Sequence, residues 1–304
     1  MEDTAFYRDV THLALNEVGA DPSCFSLSND AFHQDILTRH NSWPLAMNAT
    51  STHDTKRSED ARARLIALTW QDSDVLAELS DLKEACSAPN ERAAWHLVQA
   101  ALAIWSEAGA EEPNIVERLE RYLIKAEREA KKETSWTDQN EAYEDNLRSA
   151  VHSLIGSSHA RLGAVYEKIR SDVEHIVLAR TALKLTVPGI PDIYQGTEFE
   201  NTRLVDPDNR ATVLESTAQI ETELDQKKFD LTRQLLALRR QQPRLFTEGN
   251  YTPVDSGNDA FCFERAGSRR LTVAVRLRRN ASLPAPPSSC IAHDDWGWVA
   301  YFPT

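Results

Sequence analysis

The sequence predicts a helix-rich α+β protein with an antiparallel β domain at its C-terminal end. Glycine is scarce, at 10 of 304 residues, under half the usual share of about 7%, which favours long helices over many tight turns. Between about residues 59 and 170 apolar residues recur at helical spacing. From residue 246 onward they alternate with polar residues, as β-strands do.

Amphipathic spacing predicts the individual helices of the central region. The stretch "ERAAWHLVQAALAIW" (residues 91–105) places apolar side chains three and four positions apart, on one side of a helix. The stretch "NIVERLERYLIKAEREAKKE" (residues 114–133) repeats this pattern. Its charged run, residues 125–133, is interpreted as the solvent-exposed face of the helix. A further helix is predicted over about residues 141–170.

Two short strands are predicted on either side of the helical region. Residues 43–47 are apolar and predict a short buried strand, and Ser58 followed by two acids predicts a helix N-terminus. The turn signals in "VPGIPDIYQG" (residues 187–196) exclude a helix. They predict a loop that leads into a strand ending at Gln195-Gly196.

The C-terminal part combines one more helix with alternating strands. A helix is predicted over residues 227–242, and Pro243 ends it. The stretches "AFCFER" (residues 260–265) and "RLTVAVRLR" (residues 270–278) predict strands of a β domain. The arginines of this domain are interpreted as a solvent-exposed strand face: Arg265, Arg269, Arg270, Arg276, Arg278 and Arg279.

Composition and charge exclude several classes of function. A formal net charge of -13 argues against a nucleic-acid-binding protein, whose phosphate contacts need a basic surface. The four cysteines are widely spaced and no HExxH motif occurs, so we expect buried free thiols, no metal site and no cofactor. Neither a membrane-spanning run nor a signal-peptide core is present, so a cytoplasmic protein without a membrane partner is expected.

Two polar clusters are the candidate functional sites. Residues 53–57 (HDTKR) and 195–198 (QGTE) each follow a predicted short strand, and parallel α/β barrels keep their active sites at the C-terminal ends of strands. A catalytic triad of Ser51, His53 and Asp54 is rejected, because successive strand residues point to opposite faces. Carboxylate, imidazole and basic groups suit a polyhydroxylated ligand such as a sugar. A structural ion-pair cluster is the alternative.

Longer segments resemble the maltooligosyltrehalose synthases, a family of the α-amylase superfamily. The segment "MNATSTHDTKRSEDARARL" (residues 47–65) is similar to a late strand motif of the family, and "VPGIPDIYQGTEFENTRLVDPDNR" (residues 187–210) is similar to the motif that follows. The resemblance continues in "EDTAFYR" (residues 2–8), "LNEVGADPSCF" (residues 15–25) and "YLIKAEREAKKETSW" (residues 122–136). It spans about two thirds of the chain and weakens after residue 215.

The resemblance implies a fold and a domain organisation. The chain would be the C-terminal part of a (β/α)8 barrel with a large helical insertion and a C-terminal antiparallel β domain. His53-Asp54 would end the seventh barrel strand, and Gln195 would lie at the end of the eighth. The expected domains are a barrel segment (1–58), a helical subdomain (59–172), the eighth strand with its helix (173–245) and a β-sandwich-like domain (246–304).

The resemblance also implies an activity and roles for residues. The family isomerises the reducing-end α-1,4 link of a maltooligosaccharide to an α,α-1,1 link, through a retaining transfer to the released glucose. Asp54 would be the superfamily's third carboxylate and favour the oxocarbenium-like state, while His53 would donate to a hydroxyl of the same ring. Further motif residues would bind substrate: Lys56, Arg57, Gln195, Glu198, Asp206, Asp208 and Arg210. For Lys56 and Arg57, surface ion pairing is an equal alternative.

Parts of the family's pattern are missing. A retaining mechanism needs a nucleophile and a general acid about 5 Å apart, and in the superfamily both precede the segment that resembles "EDTAFYR". The chain alone is therefore expected to be inactive, with an N-terminal barrel half or a second copy of the chain as its partner. Asp9 stands where the family commonly has tyrosine, and Ala211 begins a departure after "DPDNR".

Two other functions remain open from the sequence. A non-catalytic carbohydrate-binding remnant of an α-amylase superfamily enzyme would keep the sugar contacts without turnover. An amylase-like hydrolase is disfavoured, because the helical insertion between the two strand motifs is longer than the connection in ordinary amylases.

Overall fold

The computed structural model describes residues 2–21, 23–112, 114–205, 208–210 and 222–302, with the backbone alone for Glu2, Asp3 and Arg210. Its helices are α1 (Glu2–Arg8), α2 (Asn29–Ser42), α3 (Glu59–Leu68), α4 (Ser73–Ala85), α5 (Glu91–Ile104), α6 (Ile115–Ala130), α7 (Glu141–Ser157), α8 (His159–Thr186), α9 (Glu223–Gln241) and α10 (Pro243–Thr247). Its strands are β1 (Met47–Asn48), β2 (Ile190–Pro191), β3 (Asn250–Val254), β4 (Ala260–Ala266), β5 (Arg270–Arg276), β6 (Cys290–Asp294) and β7 (Gly297–Phe302). The helix-rich α+β prediction with a C-terminal antiparallel sheet is confirmed.

The chain folds into two compact units, each built from segments that are separated in sequence. The first unit comprises Met1–Ser23, Ser51–Val173 and Asn201–Thr212. The second comprises Cys24–Thr50, Glu174–Glu200 and Val213–Thr304. The sequence predicts four consecutive domains, whereas each of the two compact units combines three separate segments of the chain.

Helix α5 is the central helix of the first unit. It contacts α3, α4, α6 and α7, and apart from Trp95 every residue from Ala93 to Ile104 is buried. The side chain of Asn90 begins the helix by accepting a hydrogen bond from the Ala93 N–H (2.8 Å). The predicted apolar side is buried, but so is the opposite side, because this helix has neighbours all round it.

The two helical regions that follow α5 differ in detail from their predictions. Helix α6 buries the predicted apolar side: Ile115, Leu119, Tyr122, Leu123 and Ala126. Its charged run is not uniformly exposed, because Glu127 is fully buried. The prediction of a solvent-exposed face is therefore wrong at Glu127. The helix predicted over 141–170 is two helices, α7 and α8, which meet at Ser158.

The antiparallel sheet of the second unit has the strand order β3-β4-β5-β7-β6. Alternation along β4 places Phe261 and Phe263 in one apolar cluster with residues of α8 and α9, and Ala260 and Cys262 in another cluster. The predicted period of two is thus confirmed. In the described part of residues 246–304 these strands form one sheet, where a sandwich-like arrangement was expected.

Arg265 on β4 is an exception to the predicted arginine face. Its side chain is fully buried and donates to the carbonyl oxygens of Phe246 (3.0 Å), Gly249 (3.0 Å) and Thr186 (3.3 Å). Burial, with the nearby charge of Arg239, lowers the pKa of Arg265 to about 10. The interpretation of Arg265 as solvent-exposed is therefore wrong. Its buried guanidinium binds backbone carbonyl oxygens that lie before the sheet's first strand and at the end of α8.

The two predicted short strands pair with each other in parallel. Met47 aligns with Ile190, and a Cβ on the preceding Gly189 (φ +113°) would lie 2.6 Å from the carbonyl oxygen of Ala46, so glycine is required there. Two details of the prediction are wrong. Met47 is 67% exposed rather than buried, and β2 ends at Pro191 rather than at Gln195-Gly196. Among the described residues this sheet has two strands, so a barrel is not shown.

Across the described ranges, no group of three or more His, Cys, Asp or Glu side chains could hold a metal ion. The cysteines are free, with Cys86 and Cys262 buried and Cys24 exposed. No helix in the same ranges has the length and apolarity needed to cross a membrane.

Candidate active site

A tight turn presents His53 and Asp54 to solvent. The hydroxyl of Thr55 donates to the Thr52 carbonyl (3.0 Å), and the Thr52 hydroxyl accepts from the Asp54 N–H (3.2 Å). Asn209 donates from Nδ2 to the carbonyl oxygen of His53 (3.0 Å). The Asp54 side chain is 61% exposed, so a ligand in solution can reach this carboxylate.

Glu17 fixes the segment directly after Asp54. Its carboxylate is buried and accepts hydrogen bonds from the backbone N–H groups of Lys56 (2.6 Å) and Arg57 (3.1 Å). A buried N–H group without an acceptor is costly, so Glu17 determines where this part of the loop lies. Glu17 is not among the predicted site residues. The one signal for it in the sequence is its place in the family-like segment "LNEVGADPSCF".

Lys56 and Arg57 are both buried, although they closely follow the exposed Asp54. Lys56 places Nζ 3.8 Å from Oδ1 of Asp54. Arg57 donates to three protein acceptors: the carbonyl oxygens of Leu13 (2.9 Å) and Asn16 (3.1 Å) and the hydroxyl of Tyr122 (2.8 Å). Lys56 therefore lies beside the candidate carboxylate, whereas the contacts of Arg57 support the loop and do not favour the predicted sugar contact.

The second family-like segment is hydrogen-bonded to the first. The N–H of Ser58 donates to the Arg203 carbonyl (2.8 Å), and the N–H of Arg203 donates to Oγ of Ser58 (2.8 Å). Ser58 precedes α3 as predicted, but its side chain does not cap the helix. The hydroxyl of Ser51 accepts from the Glu59 N–H instead (2.8 Å). The Ser58 hydroxyl thus joins the two segments.

The carboxylate of Asp208 accepts hydrogen bonds from other residues of the protein. Arg118 donates to both of its carboxylate oxygens, from Nε (2.8 Å) and Nη2 (3.0 Å). The N–H of Leu204 donates to the same carboxylate (2.8 Å). These contacts fix the Asp208 carboxylate within the protein, and its contact with substrate stays a prediction. Arg210 ends the 3-10 turn that starts at Asp208, and Asp206 lies outside the described residues.

Gln195 and Glu198 follow β2 in the second unit. Gln195 is exposed and has a φ of +21°. The N–H of Thr197 closes a turn by donating to the Tyr194 carbonyl (2.9 Å), and Glu198 is half-buried. The cluster at residues 53–57 belongs to the first unit, so the two predicted polar clusters lie in different compact units.

A buried polar network extends from Arg57 into the helices of the first unit, and no sequence pattern described above predicts it. The Tyr122 hydroxyl, which accepts from Arg57, lies 2.9 Å from Nε2 of His96. Nδ1 of His96 lies 3.7 Å from Oε1 of Glu127. Glu127 accepts hydrogen bonds from the Tyr143 hydroxyl (3.0 Å) and from Arg92. Arg57 and His96 thus share the Tyr122 hydroxyl as a hydrogen-bond partner.

Burial sets the charges of this network. Burial lowers the pKa of His96 below its ordinary value and raises the pKa of the Tyr122 hydroxyl. Burial also raises the pKa of Glu127, but the neighbouring His96 and Arg92 lower it more, so the net pKa lies below its ordinary value. At neutral pH the network therefore holds a neutral imidazole beside an anionic carboxylate paired with Arg92.

Acid is expected to destabilise the chain through His96. In the unfolded chain its pKa is the ordinary value of about 6.5, whereas in the folded chain it is lower. As the pH falls below about 6.5, the unfolded chain binds a proton that the folded chain does not, so the free energy of unfolding decreases. Glu127, whose folded pKa is also low, adds a second loss below about pH 4.5.

Urea denaturation at pH 7.5, 6.5 and 5.5 measures this effect. His96→Gln should weaken the pH dependence, without abolishing it because burial also lowers the pKa of His12. His159→Gln, at an exposed histidine, is the matched control and should leave the dependence unchanged. An identical slope in wild type and His96→Gln would contradict the prediction.

Comparisons with known proteins find relatives along nearly the whole chain. No family model matches the sequence. A curated protein of Mycobacterium tuberculosis named maltooligosyl trehalose synthase is 36% identical over 305 residues, which cover 95% of this chain and 40% of that protein.

Solved structures agree with the sequence comparison. A protein of Sulfolobus tokodaii, described as a hypothetical maltooligosyl trehalose synthase, matches 99% of this chain and 44% of its own, with a TM-score of 0.88 at 28% identity. The maltooligosyltrehalose synthase of Arthrobacter ramosus matches 89% of this chain and 37% of its own, with a TM-score of 0.78 at 32% identity. The chain therefore spans less than half the length of these relatives. By sequence and by fold, it is a homologue of the maltooligosyltrehalose synthases and corresponds to a C-terminal portion of one.

Proposed function

We propose that the chain supplies part of the active site of a maltooligosyltrehalose synthase. This enzyme would convert the reducing-end α-1,4 link of a maltooligosaccharide into an α,α-1,1 link. The observation that carries the proposal is the exposed carboxylate of Asp54, on a loop that Asn209 and Glu17 hold on either side of it. Activity and substrate are carried over from relatives of which the chain covers about 40%. A cytoplasmic location stays a prediction from the sequence.

Asp54 would act on the glucosyl unit whose link is broken. The transition state of a retaining glycosyl transfer carries positive charge on the sugar ring, and a fixed carboxylate stabilises that charge. His53, exposed on the same turn, would donate to a ring hydroxyl. Lys56, with Nζ 3.8 Å from the Asp54 carboxylate, is the third candidate for a polar contact with the sugar.

We also propose that β1 and β2 are the seventh and eighth strands of a (β/α)8 barrel that other residues complete. The strands are adjacent and parallel, and a polar cluster follows each of them in sequence, as barrel active sites require. Trp43 and Leu45 before β1 are 71% and 58% exposed, and further barrel strands would cover them. A second copy of the chain is the alternative cover, and sedimentation velocity would reveal it as a dimer.

The first experiment tests where the nucleophile and the general acid come from. We propose that both come from the rest of the barrel, so the purified chain should release no trehalosyl product from maltopentaose. The chain is assayed in three forms: alone, mixed with a second polypeptide, and fused to that polypeptide. The second polypeptide is the portion of the Mycobacterium tuberculosis relative that has no counterpart in this chain. Product from the mixture or the fusion supports the proposal, whereas product from the chain alone contradicts the assignment of the missing carboxylates. Sugar binding without turnover in every case would favour the carbohydrate-binding remnant.

A further inference from the structure

A cleft in the first unit is formed by residues other than those of the candidate active site. It has a volume of about 590 Å³ and lies between the segment after α1, helix α4 and the start of α5. No residue of the 51–57 segment is among those described as lining it. Its volume is within the range of small-molecule sites, about 300–1,000 Å³.

The floor of the cleft is apolar and includes a fixed indole ring. Val10 and Leu79 are buried at its base, and Leu76 on its wall is 54% exposed. Trp95 is half-buried, and its Nε1 donates to the Thr11 carbonyl (3.0 Å), which sets the orientation of the ring. A partly exposed indole of fixed orientation offers a flat apolar surface on which the C–H face of a sugar ring can pack.

Two charged side chains at the rim, Arg8 and Asp9, each use one atom in a hydrogen bond to the protein backbone. Arg8 donates from Nε to the Ala130 carbonyl (2.8 Å), and Asp9 accepts through Oδ1 from the Thr11 N–H (2.9 Å). These are the side-chain contacts that the structure gives for the two residues. The terminal nitrogens of Arg8 and Oδ2 of Asp9 can therefore meet hydroxyl groups from positions that are already ordered, which lowers the entropy lost on binding.

The charges around the cleft are balanced. Of the three cations that line it, Lys83 pairs with Glu91 (3.2 Å) and Arg92 pairs with Glu127, and the acid Asp9 lines the cleft together with the third, Arg8. Such a site lacks the excess positive potential that favours an anion such as phosphate. An apolar floor with paired donors and acceptors at its rim instead favours a neutral, polyhydroxylated ligand.

We propose that this cleft is a second carbohydrate site, which binds glucosyl units of a maltooligosaccharide independently of Asp54. The lining residues of the cleft favour a neutral sugar as the ligand. The choice of a maltooligosaccharide as that sugar rests on the proposed function. Two linked contacts on one long substrate would raise its effective concentration at the enzyme. Neither the sequence motifs nor the reaction assigns a role to Trp95.

Maltopentaose titrated into the full chain tests the site. In ¹⁵N spectra the seven tryptophans give indole N–H signals, and Trp95→Phe identifies the Trp95 signal by its loss. We expect this signal to shift with maltopentaose. Arg8→Gln should weaken by about tenfold the affinity read from the shift of the Trp95 signal, the effect of losing a hydrogen bond to a charged group. Trp136→Ala removes another exposed indole of the same unit and should leave the affinity unchanged.

The outcomes separate this site from the proposed function. An unmoved Trp95 signal at millimolar maltopentaose overturns the proposal. Wild-type affinity in Arg8→Gln, read from the same signal in a variant that thermal melts show to be folded, overturns it as well. A shifted Trp95 signal that persists in Asp54→Asn, together with an inactive fusion protein, would leave the cleft as a sugar site while the proposed function fails. An active fusion protein with an unmoved Trp95 signal would support the proposed function and overturn the second carbohydrate site.

Discussion

Replacing Asp54 with asparagine is expected to lower the turnover of maltopentaose by about a hundred- to a thousandfold. Asparagine keeps the shape of the side chain but removes the negative charge that would stabilise the oxocarbenium-like state. The interaction is stronger in the transition state than with bound substrate, so kcat should fall far more than KM changes. The side chain is 61% exposed, so the free energy of unfolding should stay within about 0.5 kcal/mol of wild type.

The fusion protein with restored activity is the material for this measurement. Asp35→Asn is the matched control, because it makes the same chemical change at an exposed position on α2 and should leave kcat unchanged. A loss of less than about tenfold in kcat for Asp54→Asn, with Asp35→Asn unaffected, would remove Asp54 from the reaction and leave it as a binding residue at most.

Replacing Arg57 with methionine is expected to reduce the free energy of unfolding by about 3–5 kcal/mol. The guanidinium is almost fully buried, and methionine has no donor for the acceptors that it serves. The carbonyls of Leu13 and Asn16 and the hydroxyl of Tyr122 would lose these hydrogen bonds inside the protein. Urea denaturation at pH 7.5, followed by circular dichroism, measures the change.

Arg148→Met is the control for Arg57→Met. Arg148 is 41% exposed and pairs with Asp145 at 2.6 Å, three residues away on α7, so its loss should cost no more than about 0.5 kcal/mol. A stable Arg57→Met variant whose fusion protein shows a raised KM would support the original prediction that Arg57 contacts the sugar. It would also contradict the structural role given to this residue.

The helices and strands could be predicted where they depend on near neighbours in sequence. The apolar sides of α5 and α6 follow from spacings of three and four residues, and the alternation in β4 follows from a spacing of two. The complete burial of α5 could not be predicted in this way. It depends on contacts with four other helices from separate segments of the chain.

Two charged residues show where local patterns fail. Glu127 lies in a mixed-charge run and Arg265 in an arginine-rich strand, so each resembles a surface residue in sequence. The hydrogen-bond partners of Glu127, Arg92 and Tyr143, are 35 and 16 residues away. Arg265 donates to the Thr186 carbonyl, 79 residues away. No window of neighbouring residues contains these contacts.

The candidate site was predictable in its position and less so in its roles. The family-like motifs located the turn of Asp54 and the adjacent Lys56. The supporting role of Arg57 depends on acceptors 41 to 65 residues away, and that of Asp208 depends on Arg118, 90 residues away. A motif specifies which residues accompany one another, whereas the tertiary contacts determine which of them remain available to a ligand.

The contact made by Glu17 has a consequence for how this loop tolerates change. Its carboxylate binds two consecutive backbone N–H groups, which every amino acid except proline provides. Substitutions at position 56 therefore preserve the contact, whereas inserting or deleting one residue between Asp54 and Arg57 would move both groups away from the carboxylate. We expect loops of this kind to drift in composition over evolutionary time while keeping their length.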